Sequence, residues 1–137
     1  MKTEITQLLA KLESGGLLAT PLLDTEEIDT ALDARDGEGF EVDWLRVHER
    51  LSLEAKSDEP TEAVLKRIRE VAFKAAYRHS ENPDFAGYVS DDFDLVSRAL
   101  ISEMDDPWLN GLFAEYVAGR FPSGAVNPSS IRLADQI

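Results

Sequence analysis

The stretch Pro60–Ser80, PTEAVLKRIREVAFKAAYRHS, decides the fold class of this 137-residue chain. Its apolar residues recur three and four positions apart, which is the spacing of one face of an α-helix. They are Val64, Leu65, Ile68, Val71, Ala72, Ala75 and Ala76. Five basic residues occupy much of the other side, and Pro60 suits the opening turn of a helix because no amide partner is needed there. We predict a long amphipathic helix.

The same spacing predicts helices on both sides of this stretch. Ile5, Leu8, Leu9 and Leu12 indicate a first helix that stops at the pair Gly15-Gly16. Further predicted helices run from Asp24 or Thr25 through Leu32, over about 42–55, over about 91–103, and from Pro107 to about Gly119. No segment alternates like a half-buried strand. The predicted fold is all-α, a single compact domain of five or six helices in an irregular bundle.

Domain boundaries follow from length and from the polar C-terminus. A chain of 137 residues suffices for one domain with a proper core. We predict a single helical domain over 1–122 and a C-terminal tail over 123–137, either loosely ordered or docked on the domain.

Composition narrows the classes of function. The chain has no cysteine, which excludes disulfides, thiolate metal sites and cysteine nucleophiles. No apolar run approaches the roughly 20 residues that span a bilayer, and the N-terminal segment lacks the apolar core of a signal peptide. We therefore expect a cytoplasmic protein that does not associate with membranes.

The charge is strongly negative and unevenly distributed. The net charge of −13 disfavours nucleic acid as a partner, because phosphate backbones would be repelled. Residues 59–80 carry five basic and three acidic side chains, whereas 1–58 and 81–137 are both acidic. One interpretation is internal complementarity around the basic helix, and the other is an acidic face that attracts a basic partner.

The segment Tyr88–Arg98, YVSDDFDLVSR, contains the densest acidic cluster. On a helix Asp91 and Asp94 share a face while Asp92 is rotated by roughly 100°, so the three do not converge on one metal ion. Ser90 is instead predicted to cap a helix, with Asp91 and Asp92 in its first turn near the positive end of the helix dipole. Phe93 is expected to point inward, and capping leaves Asp94 unexplained.

Catalytic chemistry has little support in the sequence. The chain lacks the second histidine of a His-Glu-x-x-His helix, a nucleophile elbow and the glycine-rich phosphate loops. We expect no catalytic residues, no bound metal and no cofactor, and favour a protein that is not an enzyme. An open alternative is a Mg²⁺- or Mn²⁺-dependent hydrolase of nucleotides or phosphoesters that uses helix-borne carboxylates.

The favoured function is a non-catalytic interaction protein that binds a basic protein partner. One concrete version is a bacterial immunity protein that neutralises a toxin. The expected acidic contact residues are Asp91, Asp92, Asp94, Asp105 and Asp106. Phe40 and Trp44 flank a glycine-rich bend and are candidate aromatic anchors. A further alternative is an oligomerising domain that buries Trp108 and Tyr116 against a second copy.

Overall fold

The computed structural model describes residues 3–54 and 57–137, which contain six α-helices and two short 3-10 turns. The helices are α1 (Thr3–Glu13), α2 (Ile28–Arg35), α3 (Glu38–Ser52), α4 (Glu59–Ser80), α5 (Pro83–Ser102) and α6 (Pro107–Val117). The 3-10 turns are Thr25–Glu27 and Leu133–Gln136. Within these ranges no strand occurs, and the predicted all-α fold is confirmed.

The hairpin of α4 and α5 is the centre of the fold. Helix α4 begins where the Asp58 side chain accepts from the Thr61 amide at 2.9 Å, and Pro60 lies in its first turn. Its predicted apolar face packs inward through Leu65, Ile68 and Ala72, which are fully buried. Only two residues connect it to α5, so the two helices run antiparallel in close contact. Helix α1 packs on both, and α3 packs on α5.

Two predicted helix starts are wrong. Helix α5 begins at Pro83, with Asn82 as the cap that accepts from the Phe85 amide at 3.0 Å. Ser90 therefore lies inside α5, where its hydroxyl donates to the carbonyl of Arg69, and it does not cap a helix. Helix α3 begins at Glu38 rather than at 42 because Gly37 serves as its N-cap. The last predicted residue of that helix, Ala55, lies outside the described residues.

The C-terminal residues lie against α6. The Ser129 amide donates to the carbonyl of Pro107 at 3.0 Å, and Gln136 Nε2 donates to the carbonyl of Asn110 at 3.1 Å. Leu133 is buried with the core. The boundary drawn between 122 and 123 stays a prediction. None of the described helices is long and apolar enough to cross a membrane, and the cytoplasmic location also stays a prediction.

Gly111 allows this close approach, and we expect Gly111→Ala to lower the free energy of unfolding by about 1–3 kcal/mol. A Cβ atom at this position would overlap the backbone carbonyl of Asn127, which is not free to rotate away as a side chain would be. Chemical denaturation followed by circular dichroism measures the effect.

Gly87→Ala is the matched control for this change. Gly87 also lies within a helix, α5, but a Cβ atom there would meet nothing within 4 Å. Because alanine favours helices over glycine by about 1 kcal/mol, Gly87→Ala should be neutral or stabilising. Equal destabilisation by both variants would contradict the packing argument.

Candidate functional site: an acidic groove above a buried ion pair

The carboxylate of Asp92, fully buried in the middle of α5, is the anchor of the site. Arg35, the last residue of α2, donates to both of its oxygens, from Nη2 to Oδ1 at 2.7 Å and from Nη1 to Oδ2 at 2.9 Å. Trp44 Nε1 donates to Oδ1 at 2.9 Å, and the Tyr116 hydroxyl donates to Oδ2 at 2.5 Å. This Asp92 cluster (Arg35, Trp44, Asp92 and Tyr116) thus joins α2, α3, α5 and α6.

Arg35 is held among aromatic rings. Its guanidinium carbon lies 4.0 Å from the centroid of the Phe40 ring and 5.1 Å from that of Tyr88. Burial alone would lower the pKa of Arg35, but the charge and hydrogen bonds of Asp92, together with those of Tyr116, raise it above its ordinary value, so the guanidinium is charged. Burial, followed by the charge of Asp92, raises the pKa of Tyr116 well above its ordinary value. The hydroxyl therefore keeps its proton and acts as a donor.

A groove opens to solvent between α3 and α5, directly above this cluster. The α3–α5 groove has a volume of about 500 Å³ and is lined by Trp44, His48, Leu51, Ser52 and Glu54 on one side and Glu62, Asp91, Asp94, Leu95 and Arg98 on the other. A small pocket of about 210 Å³ adjoins it. Its walls are Arg35, Asp36, Phe40, Glu41, Trp44, Leu45, Tyr88 and Asp91. Trp44 and Asp91 line both cavities, so they mark the junction.

Asp91 is the exposed carboxylate at this junction. It makes no hydrogen bond or ion pair with any other residue of 3–54 and 57–137. Partial burial, and then the neighbouring charges of Asp92 and Asp94, raise the pKa of Asp91. A carboxylate that is crowded by like charges favours a cation nearby.

Asp94, the residue that capping does not explain, pairs with two arginines. Arg69 Nη1 lies 2.8 Å from Oδ1, and Arg98 Nε lies 3.0 Å from Oδ2. Arg98 also lies 3.4 Å from Glu62. Arg69 of α4 thus meets Asp94 of α5, as internal complementarity predicts, whereas the pair of Arg98 and Glu62 places the basic residue on α5 and the acid on α4. Asp94 is half-buried in this network.

The other predicted acidic contacts do not form one exposed surface. Asp106 is 6% exposed; it caps α6 by accepting from the Leu109 amide at 3.0 Å and pairs with Arg46 at 2.6 Å. Asp105 is exposed and accepts from Asn110 Nδ2 at 2.9 Å. The expectation that Asp92 faces outward is wrong, since its side chain is 0% exposed and its charge is matched by Arg35.

The aromatic candidates also differ from expectation. Phe40 is 2% exposed and packs edge-on against Trp108, with ring centroids 5.2 Å apart, so it is part of the core and no free anchor. Trp44 is half-buried and keeps part of its indole in the groove, where His48 stacks on it at 5.2 Å. Trp108 is 8% exposed and Tyr116 2%, so both rings are buried within this chain.

The hydrolase alternative needs helix-borne carboxylates that converge on one metal ion. Among the described residues no group of three or more histidine, aspartate or glutamate side chains is arranged to hold a metal ion. The Asp92 carboxylate is paired with Arg35, and the Asp94 carboxylate is paired with Arg69. The structure therefore adds no support to the hydrolase alternative.

Sequence reasoning missed Arg35 and Tyr88. Arg35 lies 57 positions from Asp92, beside the glycines that end α2, and resembles a surface residue in sequence. Tyr88 stands one helical turn before Asp91 and donates to Asp36 at 2.9 Å. The one available signal is the i, i+3 spacing of Tyr88 and Asp91, which becomes visible only once α5 is known to begin at Pro83.

Comparison with known families identifies the chain. A model of the family described as Immunity protein PIM1 matches residues 7–123, which extend from α1 to just beyond α6. No individual curated protein matches the sequence. Because the match covers most of the chain, this protein belongs to the PIM1 family of immunity proteins.

Proposed function

We propose that this chain neutralises a toxin protein by binding it, and that the toxin presents a basic surface to the α3–α5 groove and the small pocket. The observation that carries the proposal is the charge of these cavities. Six carboxylates and two arginines line them among the described residues. Arg35 is already matched by Asp92, which lies outside the lining. The carboxylates of Asp36, Glu41 and Asp91 therefore have no ion-pair partner within 3–54 and 57–137. A basic protein surface would supply the missing cations.

Apolar surface beside the acids supports a protein partner rather than a small ion. Val42 is 64% exposed and Leu45 is 44% exposed, both on α3 near the small pocket. Interfaces combine an apolar, aromatic centre with a polar rim. Trp44 and Leu45 would provide that centre here, with Glu41 and Asp91 at the rim.

The predicted contact residues take different parts in this proposal. Asp91 and Trp44 would touch the partner directly, and Asp94 would contribute its charge from the side of the groove. Asp92, Phe40 and Asp106 would support the surface from beneath, since they are buried. Asp105 lies outside the groove lining, and its contact with the partner remains a separate prediction.

Co-expression tests the immunity function. The chain is expressed together with the toxin encoded beside its gene, and growth and binding of the purified pair are measured. We expect growth to be restored and a complex to form. If neither occurs with this toxin or with others encoded nearby, toxin neutralisation is contradicted.

Salt dependence tests whether the partner is basic. Charge attraction acts over a Debye length of about 30 Å at 0.01 M salt and about 3 Å at 1 M. We expect the association rate constant to fall by about tenfold or more over this range, because electrostatic steering raises association by about 10–1,000-fold. Stopped-flow fluorescence of the complex measures the rate.

Two double variants that remove the same number of charges distinguish the effect of local charge on association from the effect of overall net charge. Glu41→Gln with Asp91→Asn removes two charges from the lining of the small pocket, one of them at its junction with the groove. Glu26→Gln with Asp29→Asn removes two exposed charges near the start of α2. We expect only the first pair to slow association markedly. Equal effects would show that net charge alone steers the toxin, and salt-independent rates would refute a basic partner surface.

A further inference from the structure

The small pocket combines aromatic walls with carboxylates. Trp44 and Tyr88 each present a half-buried ring, while Asp36, Glu41 and Asp91 contribute three negative charges. His48 covers part of Trp44 in the α3–α5 groove but does not line the small pocket. The pocket therefore places an aromatic wall beside carboxylates, the combination that suits a cation.

The walls of the pocket are fixed in position by hydrogen bonds. Trp44 Nε1 is held by buried Asp92 at 2.9 Å, and the Tyr88 hydroxyl is held by Asp36 at 2.9 Å. Rings that are already ordered lose little conformational entropy when a ligand binds. The two rings therefore need no rearrangement for a ligand to bind in the pocket.

Arg35 in the wall does not make the pocket cationic. Its guanidinium donates to both oxygens of Asp92, so the pair carries no net charge. The three remaining carboxylates set the sign of the pocket, and Asp91 has no cationic partner among the described residues.

We propose that the small pocket receives one arginine side chain of the toxin, with its guanidinium against the Trp44 ring and paired with Asp91. This inference rests on the proposed function, since it specifies one contact of that interface. Arginine fits better than lysine because its planar guanidinium stacks on aromatic rings while its N–H groups pair with carboxylates. Tryptophan, tyrosine and arginine are also the residues that most often dominate binding energy at interfaces.

Short peptides test the pocket without the toxin. Three capped tripeptides, glycine-X-glycine, carry arginine, lysine or citrulline as X; citrulline keeps the shape of arginine but has no charge. The chain has two tryptophans, so the NMR signals of their indole N–H groups report separately on Trp44 and on buried Trp108. We expect the arginine peptide to shift the Trp44 signal saturably, the lysine peptide to bind more weakly, and the citrulline peptide to have no effect.

Asp91→Asn and Asp29→Asn form the matched pair of variants. Asp91 lines the pocket, and Asp29 is an exposed aspartate of α2 outside it. Loss of a charge-assisted contact should weaken the arginine peptide about tenfold in Asp91→Asn, which corresponds to about 1.4 kcal/mol. Asp29→Asn should bind like the unmodified chain, and circular dichroism checks that both variants are folded.

Three results would overturn the arginine pocket: no saturable Trp44 shift, equal binding of the arginine and citrulline peptides, or equal affinities of the two variants. These outcomes are independent of toxin binding. A toxin complex that forms while the peptides fail would refute the pocket and leave the proposed function standing. Peptide binding without any toxin complex would support a pocket that binds arginine but refute the proposed function.

Discussion

Replacing Asp92 with asparagine is expected to lower the free energy of unfolding by about 3–5 kcal/mol. Breaking a buried ion pair by removing one charge leaves the other uncompensated in a medium of low polarity, and the cost is of this size. In Asp92→Asn the remaining charge is Arg35, which is 4% exposed and surrounded by aromatic rings. Urea denaturation followed by far-ultraviolet circular dichroism measures the change.

The expected loss is large relative to the stability of the whole domain. Domains of this kind have free energies of unfolding of about 5–15 kcal/mol. Asp92 accepts hydrogen bonds from Arg35, Trp44 and Tyr116. Asp92→Asn therefore removes the negative charge that strengthens the hydrogen bonds from α2, α3 and α6. Its amide also presents a donor where the carboxylate presents only acceptors. We expect a marked fall in melting temperature.

A second variant identifies the uncompensated charge as the cause. Adding Arg35→Met to Asp92→Asn removes the orphaned cation, so that neither position carries a buried charge. Because apolar replacement of buried ion pairs is often neutral or stabilising, the double variant should be more stable than Asp92→Asn alone. A double variant that is less stable than the single one would contradict this explanation.

An exposed ion pair provides the matched control. Glu115 pairs with Arg120 at 2.8 Å near the C-terminus of α6, and the Arg120 side chain is 64% exposed. Surface pairs of this kind contribute about 0–1 kcal/mol. Glu115→Gln should therefore change stability little. A loss comparable to that of Asp92→Asn would show that burial does not set the cost.

Much of the fold can be predicted from local signals. The Asp106-Pro107 pair marks the start of α6 because a cap and a first-turn proline act within a few residues. The Asn82-Pro83 pair is the same signal for α5. It is easily taken for the end of α4, because Gly87 and Ser90 then interrupt the apolar pattern with residues that disfavour helices. Packing on α4 outweighs these local preferences.

The site is less predictable because it depends on contacts between distant residues. Trp44 and Asp91 can be proposed from composition and spacing, and the structure brings them together at one junction. The pairing of Arg35 with Asp92 spans 57 positions and leaves no local pattern. Without knowledge of that pairing, the sequence does not distinguish Asp91, Asp92 and Asp94 from one another. In the structure Asp92 is buried, Asp94 is salt-bridged and Asp91 is unpaired among the described residues.

Phe93, the apolar residue within the acidic segment, is the second position where we expect a large effect. Phe93→Ala should lower the free energy of unfolding by about 3–5 kcal/mol, because the lost transfer energy adds to the cost of a cavity. The ring is fully buried and contacts Phe113 and Tyr116, with centroids 6.2 Å and 4.9 Å away. Thermal and urea denaturation measure the change.

Phe73→Ala is the control for Phe93→Ala, since Phe73 lies on α4 with a half-buried ring that stacks on exposed Tyr77. Solvent can fill the space that the Phe73 ring leaves, so Phe73→Ala should cost no more than about half as much stability as Phe93→Ala.

Phe93 also packs on the Tyr116 ring whose hydroxyl donates to Asp92. Because residues with a shared partner couple, Phe93→Ala combined with Asp92→Asn should cost less than the sum of the single changes. Strict additivity would mean that Tyr116 keeps its position when the Phe93 ring is removed, and that the aromatic core and the Asp92 cluster are independent.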